Sequence, residues 1–130
     1  MGEDVNKKSV GQFGEDLTAN HLAAKGWQII ERNVREKFGE IDILAKTADG
    51  RLHFVEVKTI SKGYADYSGM APEDNLSRAK LIKMKKMAGW YANRHPELVG
   101  EKGWQIDLVA VSLLDEKAGE GEVKLYLNIA

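Results

Sequence analysis

The chain has 130 residues, the size of one ordinary domain, which leaves no length for a separate substrate domain. Apolar residues make up 43% and charged residues 30%, with only 2 prolines, so the composition is globular rather than disordered or fibrous. Lysine plus arginine is 19 against 20 for aspartate plus glutamate, so contact with a phosphate backbone would require the basic residues to be segregated on one surface. The absence of cysteine excludes disulfides, thiolate-bound zinc and a cysteine nucleophile. The start MGEDVNKKSVGQ lacks the apolar core of a signal peptide, and the apolar stretch at 108–114 is too short to cross a bilayer. A cytoplasmic protein without membrane contact is the expectation.

In chain order, a polar tail over residues 1–8 precedes a single domain over 9–130. Ser9 is a plausible N-cap, and Val10, Phe13, Leu17 and Leu22 recur at helical spacing, predicting a helix from Ser9 to Lys25 stopped by Gly26. Trp27 to Arg32 reads as a short strand, followed by a polar connection to Gly39. Two strand-like runs, Glu40 to Lys46 and Arg51 to Thr59, flank the turn signal Ala48-Asp49-Gly50 and predict a hairpin. Ser61 to Asp74 has no apolar period and reads as a long loop, a length that leans functional. Leu76, Ala79, Ile82, Met87 and Trp90 predict a second helix from Asn75 to Asn93. Trp104 to Leu113 and Glu122 to Ile129 read as two final strands. The expected fold class is α/β, with one mixed sheet flanked by two helices.

The sharpest local feature is Phe54-Val55-Glu56-Val57-Lys58, where strand alternation puts Glu56 and Lys58 on one face and Val55 and Val57 on the other. The acid-x-Lys triplet alone is no signal, since Asp115-Lys117 and Glu122-Lys124 repeat it. What distinguishes it is the preceding run Gly39-Glu40-Ile41-Asp42-Ile43-Leu44, apolar but with an acid at its centre. A two-residue turn at Asp49-Gly50 would put Asp42 and Glu56 on opposite faces. A three-residue turn with left-handed Gly50 instead sets Asp42 opposite Glu56 and Glu40 opposite Lys58. The second register is preferred, because it pairs Leu44 with Phe54 and gathers Ile41, Ile43, Val55 and Val57 on one face. Two facing carboxylates repel by roughly 0.2 to 1 kcal/mol unless neutralised. Lys58, or a divalent cation such as Mg2+ or Mn2+ held by oxygen ligands, would neutralise them. Such a cation beside a lysine points to metal-assisted phosphodiester hydrolysis, with Glu15 on the first helix a candidate third acid. The histidines show no metal-ligand spacing.

A second local excess is Arg78 to Lys86, five basic residues in nine without an acid. Spread around a helix, they form a broad basic surface that suits either solvent or a phosphate backbone. Arg78, Lys80 and Lys83 are the candidate phosphate contacts, and Lys80 is placed to reach the carboxylates. Tyr64 and Tyr67 are candidates for stacking on exposed bases.

These residues together resemble the YraN-like family of small bacterial proteins. The resemblance rests on Gly11, Gly14-Glu15, Thr18-Ala19, Gly26-Trp27, Asn33 and Arg35, then Gly39-Glu40-Ile41-Asp42, Phe54-Val55-Glu56-Val57-Lys58-Thr59 and Lys80. That family is similar to the PD-(D/E)XK nuclease superfamily and to archaeal Holliday junction resolvases. The resemblance implies a restriction-endonuclease-like αβββαβ core with Glu15, Asp42 and Glu56 as acidic site residues. It further implies the Val57 carbonyl as an additional metal ligand, Lys58 as the catalytic lysine, a structural Asp107, and room for a homodimer. Ile41 replaces the motif's proline, and Ile60 stands where a basic residue is frequent. Two functions follow as expectations: a Mg2+-dependent or Mn2+-dependent endonuclease acting on DNA, branched or single-stranded forms included, or a nucleic-acid-binding or scaffold protein that keeps the nuclease fold without turnover.

Overall fold

The computed structural model describes residues 3–61, 76–115 and 120–130. Their elements are α1 (Glu3–Ala24), β1 (Gln28–Glu36), β2 (Gly39–Lys46), β3 (Leu52–Ser61), α2 (Arg78–Arg94), a single 3-10 turn (Pro96–Leu98), β4 (Trp104–Asp115) and β5 (Glu120–Tyr126). The αβββαβ order is therefore the observed one, with β5 added at the end. The five strands form one mixed sheet in the order β1-β2-β3-β4-β5. Only β3 and β4 run parallel. A parallel pair needs a crossover, and the segment containing α2 supplies it.

The helices cover opposite faces. Ala19 and Leu22 of α1 bury against Ile43, Ala45, Val55, Val109 and Val111. Met84, Met87, Ala88 and Tyr91 of α2 bury against Leu44, Leu52, Phe54 and Ile106 on the other side. Phe54, Leu22, Leu44, Leu52 and Met87 are fully enclosed. Each contributes about 1.5 to 3 kcal/mol relative to exposure, which is what holds the three layers together.

Several boundaries differ from the sequence expectation. Helix α1 begins at Glu3 instead of Ser9, so the tail expected over 1–8 is helical from Glu3 onward. The polar connection expected after Arg32 is strand as far as Glu36. As the sheet edge, β1 tolerates the charges that obscured it. Helix α2 begins at Arg78, capped by Ser77, whose side chain accepts the Lys80 N–H at 3.0 Å. The long loop expected after Ser61, with Tyr64 and Tyr67, lies outside the described residues.

The three-residue turn is present. Gly50 has φ +87, and Ile43 pairs with Val55, Leu44 with Phe54 and Ala45 with His53. This ladder ends at Ile43, however, so Asp42 is not paired with Glu56 and Glu40 is not paired with Lys58. Glu40 pairs instead with Arg35 of β1, at 3.5 Å between the charged groups. Ile41 also leaves the face expected for it, burying with Val34 against α2 while Ile43 buries against α1. Residues two apart in a regular strand share a face, so the strands rotate locally between them. Asn33, directly across the gap in the β1–β2 pairing, has φ +54, the left-handed conformation that asparagine tolerates better than most residues.

Candidate functional site

That rotation is what makes the site. Where β2 and β3 part, the Asp42 carboxylate takes the place of a main-chain acceptor and receives the Val57 N–H at 2.8 Å. Asp42 thereby lines a cleft of about 460 Å³ with Val10, Gly11, Glu15, Asn33, Val57 and Thr59. Glu56, buried at 8% exposure, lines an adjoining cleft of about 400 Å³ with Gly39, Glu40, Lys80, Lys83 and Met84. Glu40 borders both.

The acids differ in how they are compensated. Arg32 Nε and Asn33 Nδ2 donate to Glu15 Oε1 at 3.1 and 3.0 Å, and Arg32 also donates to Asp16 at 2.6 Å. The Arg32 contact holds the Asp16 carboxyl below its usual range. Lys80 Nζ lies 2.6 Å from Glu56 Oε1. Burial of Lys80 works against its charge, but the Glu56 carboxylate outweighs it and leaves the amine above its ordinary pKa. Asp42 has no basic partner among the described residues. Burial first, then the charges of Glu56, Glu15 and Glu40, push its carboxyl up to about 7, although the Val57 N–H favours the charged form.

The close approach of α1 depends on Gly14. A Cβ there would collide with the Thr59 hydroxyl, and only a bare backbone lets Glu15 reach the sheet. Arg32 and Asn33, which hold Glu15, had no assigned role in the sequence reading. The signal was present in Asn33, a residue type suited to left-handed backbone inside a charged run.

Of the expected site residues, the fold brings Asp42, Glu56, Glu15 and Lys80 into one electrostatic neighbourhood, with Val57 at its floor. It does not put Lys58 against either carboxylate. Lys58 is exposed on β3, and Lys80 makes the contact that the lysine two residues beyond Glu56 was expected to make. Lys83 lines the Glu56 cleft, whereas Arg78 is exposed at the start of α2. Ile60 is buried at 8%, so the absence of a basic residue there is a packing requirement.

Among the described residues no three acidic or histidine side chains already converge as a metal cage. The residues nevertheless fit a hard divalent cation. Asp42, Glu15 and Glu40 present oxygen donors in one cleft, with Arg35 as its one basic lining residue, Glu56 lines the adjoining cleft, and Mg2+ commonly binds through one or two carboxylates and keeps several waters.

A separate buried network lies elsewhere on the sheet. His53 Nδ1 and Asp107 Oδ2 are 2.7 Å apart, and Asp107 also accepts from Gln105 Nε2 at 2.7 Å and the Asn128 N–H at 2.9 Å. Thr47 Oγ1 is 3.0 Å from His53 Nε2, and Trp27 packs on the imidazole. These contacts tie β3, β4 and the C-terminal segment together. They agree with a structural Asp107.

Residues 14–111 match the family described as Uncharacterised protein family UPF0102. A UPF0102 protein of Corynebacterium efficiens is 39% identical over 92 residues, covering 70% of this chain and 71% of that one. One from Campylobacter fetus is 32% identical over 120 residues, 92% of each chain. One from Clostridioides difficile is 35% identical over 113 residues, covering 87% and 93%. None of the described helices is long and apolar enough to cross a membrane.

Proposed function

The chain belongs to the uncharacterised protein family UPF0102, the YraN-like family, and from that membership and the acid cleft we propose that it is a divalent-metal-dependent endonuclease acting on DNA. The observation that carries this reading is Asp42, enclosed in a cleft with Glu15 and Glu40 and with no basic partner among the described residues, so that burial and the neighbouring carboxylates push its carboxyl up. A group in that state gains most from a cation. Mg2+ or Mn2+ held by Asp42 and Glu56, with the Val57 carbonyl as the further ligand that the family resemblance implies, would polarise a phosphoryl oxygen and lower the pKa of a bound water.

The chain's own groups supply the rest. The Val57 N–H fixes the Asp42 carboxylate in one orientation, and Arg32 with Asn33 does the same for Glu15. Lys80 neutralises Glu56 in the resting site and carries a positive charge that a substrate phosphate can share. Lys58, exposed on the same strand, is free of carboxylate contacts among the described residues and is the second candidate to stabilise charge on the phosphoryl group. Arg78, Lys83 and their neighbours on α2 would take the phosphate backbone on either side.

Cleavage of linear, flapped and four-way DNA with Mg2+ or Mn2+, comparing the parent with Asp42→Asn, Lys58→Ala and Lys80→Ala, tests the proposal. Metal-dependent cleavage that falls about a hundredfold or more in Asp42→Asn is the expected result. No metal-dependent cleavage of any substrate, or equal cleavage by Asp42→Asn, overturns it. The second reading, nucleic-acid binding without turnover, is favoured by one observation: Lys80 already occupies Glu56, while Lys58 stands apart from both carboxylates. Salt-sensitive binding with no cleavage would select it.

A further inference from the structure

Along α2, Lys83, Lys86, Trp90 and Arg94 fall on one side of the helix at about 100° per residue. Helix α2 contains no acidic residue. Arg94 stacks its guanidinium on Trp90, with Cζ 4.8 Å from the ring centroid. Phe38, at the turn between β1 and β2, meets the same indole edge-on at 4.9 Å and an interplanar angle of 79°. Phe38 is nevertheless 43% exposed, while Trp90 is half-buried against the core. The turn is seated on the helix, because a Cβ on Gly39 would lie 3.5 Å from Met87. Gly39 and Lys83 in turn line the cleft that holds Glu56 and Lys80.

An exposed ring braced from behind, at one end of a basic stripe that leads to the acid cleft, is a poor arrangement for solvent and a good one for a stacked base. We infer that Phe38, backed by Trp90 and Arg94, is a stacking platform for an unpaired nucleobase, so the strand that reaches the acid cleft is single-stranded or frayed on the Phe38 side. Lys83, Lys86 and Arg94 match the charge of its backbone. The nearest acids in sequence are Glu36, exposed, and Glu40, which is paired with Arg35. A paired base buries its faces in the duplex stack and cannot use such a ring without unstacking. This inference rests on the proposed nucleic-acid function and adds the form of the substrate.

Binding of short oligothymidylate, oligouridylate and a blunt duplex to the full chain, without metal, tests it. Phe38→Ala should weaken both single strands by about fivefold to a hundredfold, the range for losing one stacked base, and change duplex binding by less than about twofold. A larger loss with one of the two single strands identifies DNA or RNA as the preferred source and still supports the platform. Phe38→Tyr should keep single-strand binding, whereas Phe38→Leu should lose it despite retaining apolar bulk, and this pair decides the matter if Phe38→Ala folds poorly. Equal loss on duplex and single strands, no loss, full binding by Phe38→Leu, or no single-strand binding by the parent overturns the inference. Single-strand binding that depends on Phe38 in a chain that cleaves nothing would leave the platform standing and remove the nuclease. Cleavage with binding indifferent to Phe38 would do the reverse.

Discussion

At Asp42, burial and three neighbouring carboxylates all oppose the charged form. Its folded pKa, about 7, lies above the ordinary aspartate value of 3.8. The folded state therefore holds the extra proton between those values, and its stability falls as pH rises through that window. Asp42→Asn removes the titrating group while keeping an oxygen for the Val57 N–H. It should raise the melting temperature relative to the parent at about pH 8, with the gain shrinking toward about pH 4. Melts at the two pH values check this. On the proposed function, a cation bound at the site would reverse the penalty. Mn2+ at about a hundred times its dissociation constant should stabilise the parent by about 2.7 kcal/mol and Asp42→Asn by almost nothing, as read by thermal shift. Lys80 is half exposed but Glu56 is buried, so Lys80→Ala leaves a buried carboxylate without its cation and should cost about 1 to 3 kcal/mol in denaturant titration.

At the scale of elements, the site depends on two departures from regular structure. The first is the rotation at Asn33 and Asp42, which sends Ile41 and Ile43 to opposite cores. The second is the contact of Gly14 with Thr59, which sets the height of α1 above β3. Gly14→Ala must push the helix away or displace the Thr59 side chain, and should destabilise the fold by about 1 to 3 kcal/mol, measured by denaturant unfolding. Because Glu15 moves with the helix, the same variant should also weaken Mn2+ stabilisation. The hairpin turn and the β2–β3 register were legible in the sequence, since a Gly at the third turn position and a period-2 pattern determine both. The end of the β2–β3 ladder was not, because Asp42 replaces a main-chain partner with its own side chain and no local pattern marks that exchange. Strand β1 was half legible, its charged second half reading as connection until its place at the sheet edge is known.

Across the described residues, acids concentrate at one end of the β2–β3 pair and basic residues along α2, and the two meet at Lys80 and Glu56. Glu15, Asp42 and Glu56 gather where β2 and β3 part, while α2 carries basic residues and no acid. The net charge of -1 over the whole chain describes neither region. If α2 contacts a phosphate backbone, Lys83→Ala and Lys86→Ala should each reduce the salt slope of binding by about 1. Away from the acid cleft, Asp107 is fully buried with His53, Gln105 and the Asn128 N–H as partners, so it links β3, β4 and the C-terminal segment. Asp107→Ala leaves those donors without an acceptor and should cost about 3 kcal/mol or more in unfolding free energy, with Mn2+ stabilisation retained in the folded fraction.

The sequence by itself determined the α/β class, the order of elements, the hairpin register and the nomination of Asp42, Glu56, Glu15 and Lys80. These follow from periodicity, turn chemistry, charge within apolar runs and motif spacing, all of which act over a few residues or one hairpin. Only the tertiary structure decided that Lys80 and not Lys58 meets Glu56, that Arg32 and Asn33 hold Glu15, and that Phe38 rests on Trp90. Each of those contacts joins residues from different elements. Their geometry depends on where the edge strand rotates and how closely each helix settles on the sheet, and packing of the assembled layers sets both.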